Sequence, residues 1–510
     1  MKIFSADQIR KWDQYTIHYE PIASIDLMER AAKKSVQWLL DNFLKAKSFK
    51  IICGKGNNGG DGLAIARLLS EKGLNVEVYI LESGKLGTED FQTNLQRLHI
   101  IPVNIRYIQS PEHFPSFEKS DILIDALYGS GINKPLEGLN EKLVQHINNT
   151  KYKVISIDVP GGLFMDESSS GHTIIQADHT LSFQTQKLSL LVAENAPCVG
   201  EVHILDIGLH PKFTDQEESD FYLITIGLIT KIFIPRQPNA HKGIYGHALI
   251  IGGSNGKIGA VLLATNACLH TGAGLTTSYL PFCGYNILQI ATPEAMVITD
   301  KNENQITGLP PDIQKYSALG IGPGMGTASE TQKAFVELIQ LYNKPMVIDA
   351  DGLNCFALRK DSLMHFPPYS ILTPHPKEFE RLFGESKNDF ERITLARKKA
   401  KELNVIIILK GHHTFIATPT GQGYFNSTGN AGMAKGGSGD VLTGIITSFL
   451  AQGYSSLDAS ILGVYLHGLA GDIAAETLSK ESMLATDIIN CMADAFKLVN
   501  EKPNSLPISG

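Results

Sequence analysis

Short apolar runs rich in Ile, Leu and Val recur along this chain, and nearly all of them end on glycine or aspartate before a helical pattern begins. A strand followed by a helix and then by another strand returns in the same direction. The repeated alternation therefore commits the chain to parallel sheets packed between helices, the α/β class. Strands are expected at residues 50–53, 75–80, 122–125, 154–158 and 202–205, with a helix over 63–72. A second series follows Gly246, with strands at 248–251, 318–321, 346–349, 370–372 and 405–409 and a helical region from Val441 onward. Between the two lies a polar, acidic stretch at 211–220, which reads as a seam. The 510 residues suffice for two full cores. The expected division is a domain of residues 1–220 and a domain of residues 221–510.

Charge and cysteine usage narrow the partners. With 45 basic against 52 acidic residues the net charge is -7, which offers no footprint for nucleic acid. The six cysteines, Cys53, Cys198, Cys268, Cys283, Cys355 and Cys491, are scattered without a CxxC pair, which points to free thiols in a reducing compartment. The first residues lack the apolar core of a signal peptide. The most apolar long stretch, residues 260–280, is broken by Asn266, His270 and Thr276, so no membrane span is expected. A cytoplasmic protein acting on small molecules fits these limits.

The richest chemistry lies in Gly436-Gly437-Ser438-Gly439-Asp440, directly before an apolar helical pattern. A glycine loop feeding a helix N-terminus collects free amides and the positive end of the dipole, a cradle for phosphate. An aspartate there repels phosphate, yet it makes sense as a general base beside a hydroxyl that attacks phosphorus. The plainer alternative is a capped turn with Asp440 as N-cap. Other strand ends add polar groups: Thr373-Pro374-His375-Pro376, Lys410-Gly411-His412-His413-Thr414, and the turn Gly322-Pro323-Gly324-Met325-Gly326. Ligands of open α/β sheets bind at such carboxyl ends. Singly, His375 reads equally well as a loop histidine and Lys410 as a solvated charge. No GxxxxGK[ST] loop occurs.

These residues resemble the ribokinase-like superfamily, and within it the ADP-dependent NAD(P)H-hydrate dehydratases, over about residues 235–500. Gly252-Gly253-Ser254 and Ala260 also fit that pattern. The positions of Lys435 and Ala431 commonly carry Thr and Pro in that branch; here they depart while the Gly and Asp positions stay intact. The resemblance implies a ribokinase-like C-terminal α/β domain. In it, Lys410, Gly411, His412, His413 and Thr414, with Gly436, Gly437, Ser438 and Gly439, bind the nucleotide. His375, Ala260, Gly324 and Asp440 bind the hydrate, and Asp440 is catalytic. ADP as co-substrate and Mg2+ come with it.

In the first half, Gly54-Lys55-Gly56-Asn57-Asn58-Gly59-Gly60-Asp61-Gly62 lies between a strand and a helix and formally contains GxGxxG, with Glu82 at the next strand's end. That alone is a weak dinucleotide signal. The added Asn57, Asn58 and Asp61 suggest oxygens gathered around a cation or a hydroxyl-rich ligand. Asp125 and Asp158 also close strands, so the three sites meet at one carboxyl edge if those strands are parallel neighbours. The alternative makes these aspartates turn formers.

This half resembles the YjeF N-terminal family of NAD(P)H-hydrate epimerases over about residues 1–210. The implied fold is a Rossmann-like α/β/α sandwich. The implied substrate contacts are Asn57, Asn58, Gly59, Gly60, Asp61, Gly129, Ser130, Gly131, Ile132, Asn133, Lys134, Pro135 and Asp158. Asp158 is the candidate proton-transfer group. K+ is implied at Asn58, Asp125 and the position of Gly161, where the family usually has a ligating Ser. A backbone carbonyl at Gly161 is the expected replacement.

Together the resemblances imply repair of NADH or NADPH that has taken up water. The N-terminal domain would interconvert the R and S hydrates, NADHX and NADPHX. The C-terminal domain would use ADP to turn the S hydroxyl into a phosphate leaving group, releasing AMP and phosphate. A ribokinase-like small-molecule kinase with a non-catalytic N-terminal binding module is the rival reading. A homo-oligomer without nucleic-acid or membrane partners is expected.

Overall fold

The computed structural model describes residues 1–500 apart from 44, 47, 83, 117, 119, 151 and 360–365. Two compact units emerge. One comprises Lys2–Ser219 with Asn388–Phe390; the other comprises Asp220–Lys387, Met1 and residues 391–500.

The first unit holds a seven-stranded sheet in the order Asn104–Ile108, Val76–Leu81, Ser48–Cys53, Asp121–Ala126, Lys153–Ile157, His179–Phe183 and Glu201–Leu205. Every pairing is parallel. Alternate residues face opposite sides, and both sides are apolar. Ile51 and Cys53 pack into a core with Val36 and Leu39, and Ile52 packs into another with Leu143 and Ile147. Each fully buried aliphatic side chain contributes about 1.5–3 kcal/mol. The strand order reverses between Ser48–Cys53 and Asp121–Ala126, the point at which such sheets open a crevice for ligand.

Two expectations shift in this unit. The helix expected over 63–72 begins at Asn57 and runs to Glu71, so the Asn-Asn-Gly-Gly-Asp motif forms its first turns. The polar seam at 211–220 is mostly part of the first unit. Its helix Lys212–Gln216 buries Phe213 against Trp12, stacked with ring centroids 5.6 Å apart, so one aromatic anchor outweighs the surrounding charge.

The sheet of the second unit runs Phe221–Leu223, Gly423–Phe425, Phe415–Ala417, Ile406–Leu409, Ile371–Leu372, Met346–Ile348, Ala318–Ile321, His247–Ile251, Leu275–Leu280 and Met296–Thr299. From Ile406–Leu409 to Met296–Thr299 it is parallel. The strands Ile406–Leu409, Phe415–Ala417 and Gly423–Phe425 form an antiparallel meander. The helix Ser438–Ala451 crosses Ile258–Thr271 so closely that a Cβ on Gly444 would overlap the Ala264 carbonyl oxygen. That crossing aims the glycine loop at the carboxyl ends of the strands.

Candidate functional site

In the second unit the loop turns into its helix at Gly437, whose φ of 94° suits only glycine without strain. Gly437 is the N-cap, and no side chain caps it. Asp440 sits inside the first helical turn, so the capped-turn alternative does not describe this aspartate. Ser438 N donates to Lys435 O at 3.5 Å and Val441 N to Gly437 O at 3.0 Å, so the amides of Gly439 and Asp440 are those left for an outside acceptor. Gly436 is exposed and Gly437 half-buried.

A network lies under the turn. Lys410 follows its strand and donates from Nζ to Asp349 Oδ1 at 2.6 Å, while Thr443 Oγ1 donates to Asp349 Oδ2 at 2.8 Å. An ideal Cβ on Gly439 would be 3.2 Å from Lys410 Nζ and 3.5 Å from Asp349 Oδ2, which places both groups beside the helix start. Burial pushes the Asp440 carboxyl up to about 7; Asp349, Asp351 and Glu378 add to the rise and Lys410 opposes it. A half-buried carboxylate that titrates near neutrality suits a general base.

The remaining expected residues group around this centre. His375 caps the helix Pro376–Phe383: its Nδ1 accepts from Lys377 N at 3.1 Å and Glu378 N at 3.3 Å, leaving Nε2 to carry the proton. Ala260 lies against Gly324, whose ideal Cβ would stand 3.0 Å from the Ala260 Cβ. Gly411 and His412 are exposed, and Thr414 Oγ1 closes their turn onto Gly411 O at 3.1 Å. His413 bonds Asn426 O at 3.2 Å and is driven down to about 4 by burial, so it is neutral. Ser438 Oγ is 3.3 Å from Nε2 of buried His467, which burial also lowers to about 4. Lys435 ties the loop down through Nζ to the carbonyls of Met483, at 2.8 Å, and Glu481. Its ammonium therefore serves the loop's conformation.

In the first unit the three strand ends converge. An ideal Cβ on Gly129 would be 3.3 Å from Asn58 Cβ and 3.4 Å from Asp158 Oδ2, and Ser130 N donates to Asp158 Oδ2 at 3.3 Å. Asn58 is buried, and neither Oδ1 nor Nδ2 has a protein partner among the described residues. Asp125 is buried and accepts from Leu127 N, Ser156 Oγ and Gly161 N at 3.1, 2.7 and 2.8 Å. The Gly161 carbonyl accepts from Ile175 N at 2.9 Å, which leaves it one further lone pair. Gly131, Ile132 and Asn133 line a cleft with Arg10 and Asp166, and Lys134 and Pro135 are exposed.

Asp158 has a left-handed backbone, φ 67°, just past its strand, and its N–H donates to Leu181 O at 2.8 Å. Such a conformation is uncommon outside glycine and often marks functional positions. Its Oδ1 pairs at 2.8 Å with Nζ of Lys187, which is fully buried and also donates to Ser182 Oγ at 2.6 Å and Phe183 O at 3.1 Å. Two more carboxyls feel this charge. Burial and then Asp158 raise Asp13 to about 7, against the pull of Lys187; burial, Asp158 and Asp13 raise Asp61 well above the usual range. Sequence reasoning missed Lys187, Asp13, Asp349, Thr443 and His467. Only Asp349 carried the signal used elsewhere, a carboxylate at a strand end.

Comparison with known proteins matches both halves. Residues 248–493 match the family described as NAD(P)H-hydrate dehydratase, and residues 24–189 match the one described as YjeF-related protein N-terminus. The bifunctional NAD(P)H-hydrate repair enzyme Nnr of Moorella thermoacetica is 34% identical over 526 residues, covering 100% of this chain and 99% of its own. The enzyme of that name from Escherichia coli is 32% identical over 494 residues, 96% of this chain and 93% of its own. A solved ribokinase-like superfamily protein of Enterococcus faecalis matches with a TM-score of 0.51 at 28% identity, covering 56% of this chain and 98% of that one.

Proposed function

The chain belongs to the family of bifunctional NAD(P)H-hydrate repair enzymes, and from that membership we propose how its residues divide the work. It repairs nicotinamide cofactors, as an NAD(P)H-hydrate epimerase and an NAD(P)H-hydrate dehydratase. The epimerase occupies residues 1–220 and the dehydratase residues 221–510.

For dehydration, Asp440 takes the proton of the C6 hydroxyl of S-NADHX or S-NADPHX. The freed oxygen attacks the terminal phosphorus of ADP, and AMP departs with the electrons of the broken P–O bond. Phosphate then leaves C6 and carries off the C5 proton, so the C5–H electrons restore the ring double bond. The amides of residues 436–439 receive the phosphoryl charge. Lys410, tethered by Asp349, stands beside them, with residues 411–414 on the nucleotide and His375, Ala260 and Gly324 on the hydrate. The surplus of carboxylates, Asp349, Asp351, Glu378 and Asp440 against Lys410, suits a Mg2+ ion carried on the phosphates. That ion would draw charge from the transferring group.

For epimerisation, Asp158 moves the proton, with Asp61 and residues 129–135 around the hydrate. The unpartnered amide of Asn58 and the buried carboxylate of Asp125, which follow or close paired strands, suit K+, with a Gly161 oxygen as a third donor. The ion would give the substrate's oxygens a fixed positive partner. Homo-oligomeric assembly in the cytoplasm belongs to the same proposal. Among the described residues no helix is long and apolar enough to cross a membrane.

The position of Asp440, titrating near neutrality inside the phosphate cradle, carries the dehydratase reading. Reciprocal variants of the full chain test it. Asp440→Asn is expected to slow ADP-dependent recovery of NADH absorbance from S-NADHX by roughly 10²–10⁴ while R-to-S exchange continues. Asp158→Asn is expected to do the reverse. A stable phosphorylated product from the wild-type chain would instead favour the small-molecule kinase.

A further inference from the structure

Three metal-ligating side chains outside both sites stand together in the first unit. His179 opens the strand His179–Phe183 in register with Glu201 of the edge strand Glu201–Leu205, and His203 follows in register with Leu181. Parallel neighbours in register, and residues two apart, present their side chains on one face. His179 Nδ1 is 3.2 Å from His203 Nε2. Glu201 Oε2 is 3.6 Å from the former and Oε1 is 3.9 Å from the latter.

Those separations match a coordination sphere. Two nitrogens bound at about 2.0–2.1 Å to a tetrahedral ion stand roughly 3.3 Å apart, so the rings need hardly move. One wall is aromatic: the Trp38 ring lies 4.6 Å from His203 and 5.3 Å from His179, and Phe43 lies 5.7 Å from His179. The other side is open, since Glu201 is 70% exposed against 18% for each imidazole. Lys153, a nearby positive charge, is paired with Asp178 at 3.1 Å.

We propose that His179, Glu201 and His203 bind one borderline divalent transition ion of the zinc class, with water in the fourth position. Two imidazoles and one carboxylate favour such an ion over Mg2+ or Ca2+, which prefer oxygen. His179 starts its strand, at the end opposite to the carboxyl edge that carries Asp125 and Asp158, so the ion clips the edge strand to its neighbour and takes no part in epimerisation. Binding to the folded form then raises the melting temperature.

The full-length chain, stripped with a chelator, is titrated with Co2+ and Zn2+. One equivalent is expected, with the visible bands of a tetrahedral Co2+ site, a raised Tm, and quenching of tryptophan emission that Trp38→Phe removes. His203→Gln is expected to weaken binding at least about tenfold. The chain has 16 histidines, so equal affinity in wild type, His203→Gln and His179→Gln overturns the proposal. If those variants fail to fold, wild-type Co2+ binding that leaves Trp38 emission unchanged overturns it instead.

Discussion

At the scale of single residues, the two sites hold their charges by opposite means. Asp440 is raised to about 7, chiefly by burial, so its base form gains as pH passes through neutrality. Dehydratase kcat/KM is expected to climb with pH and level off above about pH 7. Asp440→Asn should flatten the profile and lower it by roughly 10²–10⁴. The same shift costs stability. An unfolded aspartate releases its proton near pH ~3.9, whereas the folded chain holds this one until about pH 7. Stability from this group is full below the lower value and is lost as pH rises through the window. Asp440→Asn should therefore be more stable than wild type at pH 8, by about 1–3 kcal/mol after screening of a carboxylate that is still partly wet, and match it near pH 4. Urea midpoints at the two pH values check this. Lys187 is the converse, a buried ammonium whose charge Asp158 answers. Lys187→Met strands Asp158 beside Asp61 and Asp13, at a cost of about 3–5 kcal/mol. Epimerisation should fail while dehydration by the folded fraction continues, which chemical denaturation and the two assays read separately.

At the scale of elements, glycine positions in one helix and its loop separate packing from binding. A Cβ on Gly444 meets the Ala264 backbone, whereas one on Gly436 meets nothing and the position is exposed. Gly444→Ala should cost about 1–3 kcal/mol and, by moving the loop, lower turnover by as much as about 10²-fold. Gly436→Ala should leave the urea midpoint unchanged, because a Cβ there meets nothing within the protein, and on the proposed nucleotide role it should weaken only ADP use. This contrast also explains what was legible in the sequence. Strand cores were readable at residues 50–53, 122–125 and 318–321 because apolar runs stop abruptly at Gly or Asp. The start of the helix at Asn57 was not, because three glycines and an aspartate in its first turns lower helix propensity and only tertiary packing restores it. Lys187 and Thr443 were invisible for another reason. Each takes its meaning from a partner, Asp158 and Asp349, that the sheet order brings near and no local spacing encodes. His375 carried a signal with two readings, and its ring does cap a helix whatever it does for substrate.

At the scale of the whole molecule, the residues assigned to each activity fall within one compact unit. Asp13, Asn58, Asp61, Asp125, Asp158 and Lys187 lie in Lys2–Ser219, and Lys410, His375 and Asp440 lie in the other unit. As assigned, neither set includes a residue of the other unit, and on that proposal each site works without the other's chemistry. An epimer released by one site reaches the second by diffusion, and covalent linkage then adds local concentration but no catalytic group. Equal amounts of Asp440→Asn and Asp158→Asn chains, each blocked in one step, should together convert R-NADHX to NADH with ADP. The expected rate is within a few-fold of wild type at saturating enzyme, and neither variant alone should do it. The lag before NADH appears should shorten as total protein rises, which a wild-type chain passing its intermediate internally would not show. If the mixture stays inactive while each variant keeps its own remaining activity, the two steps need one chain, and the assignment of separate, self-sufficient sites fails.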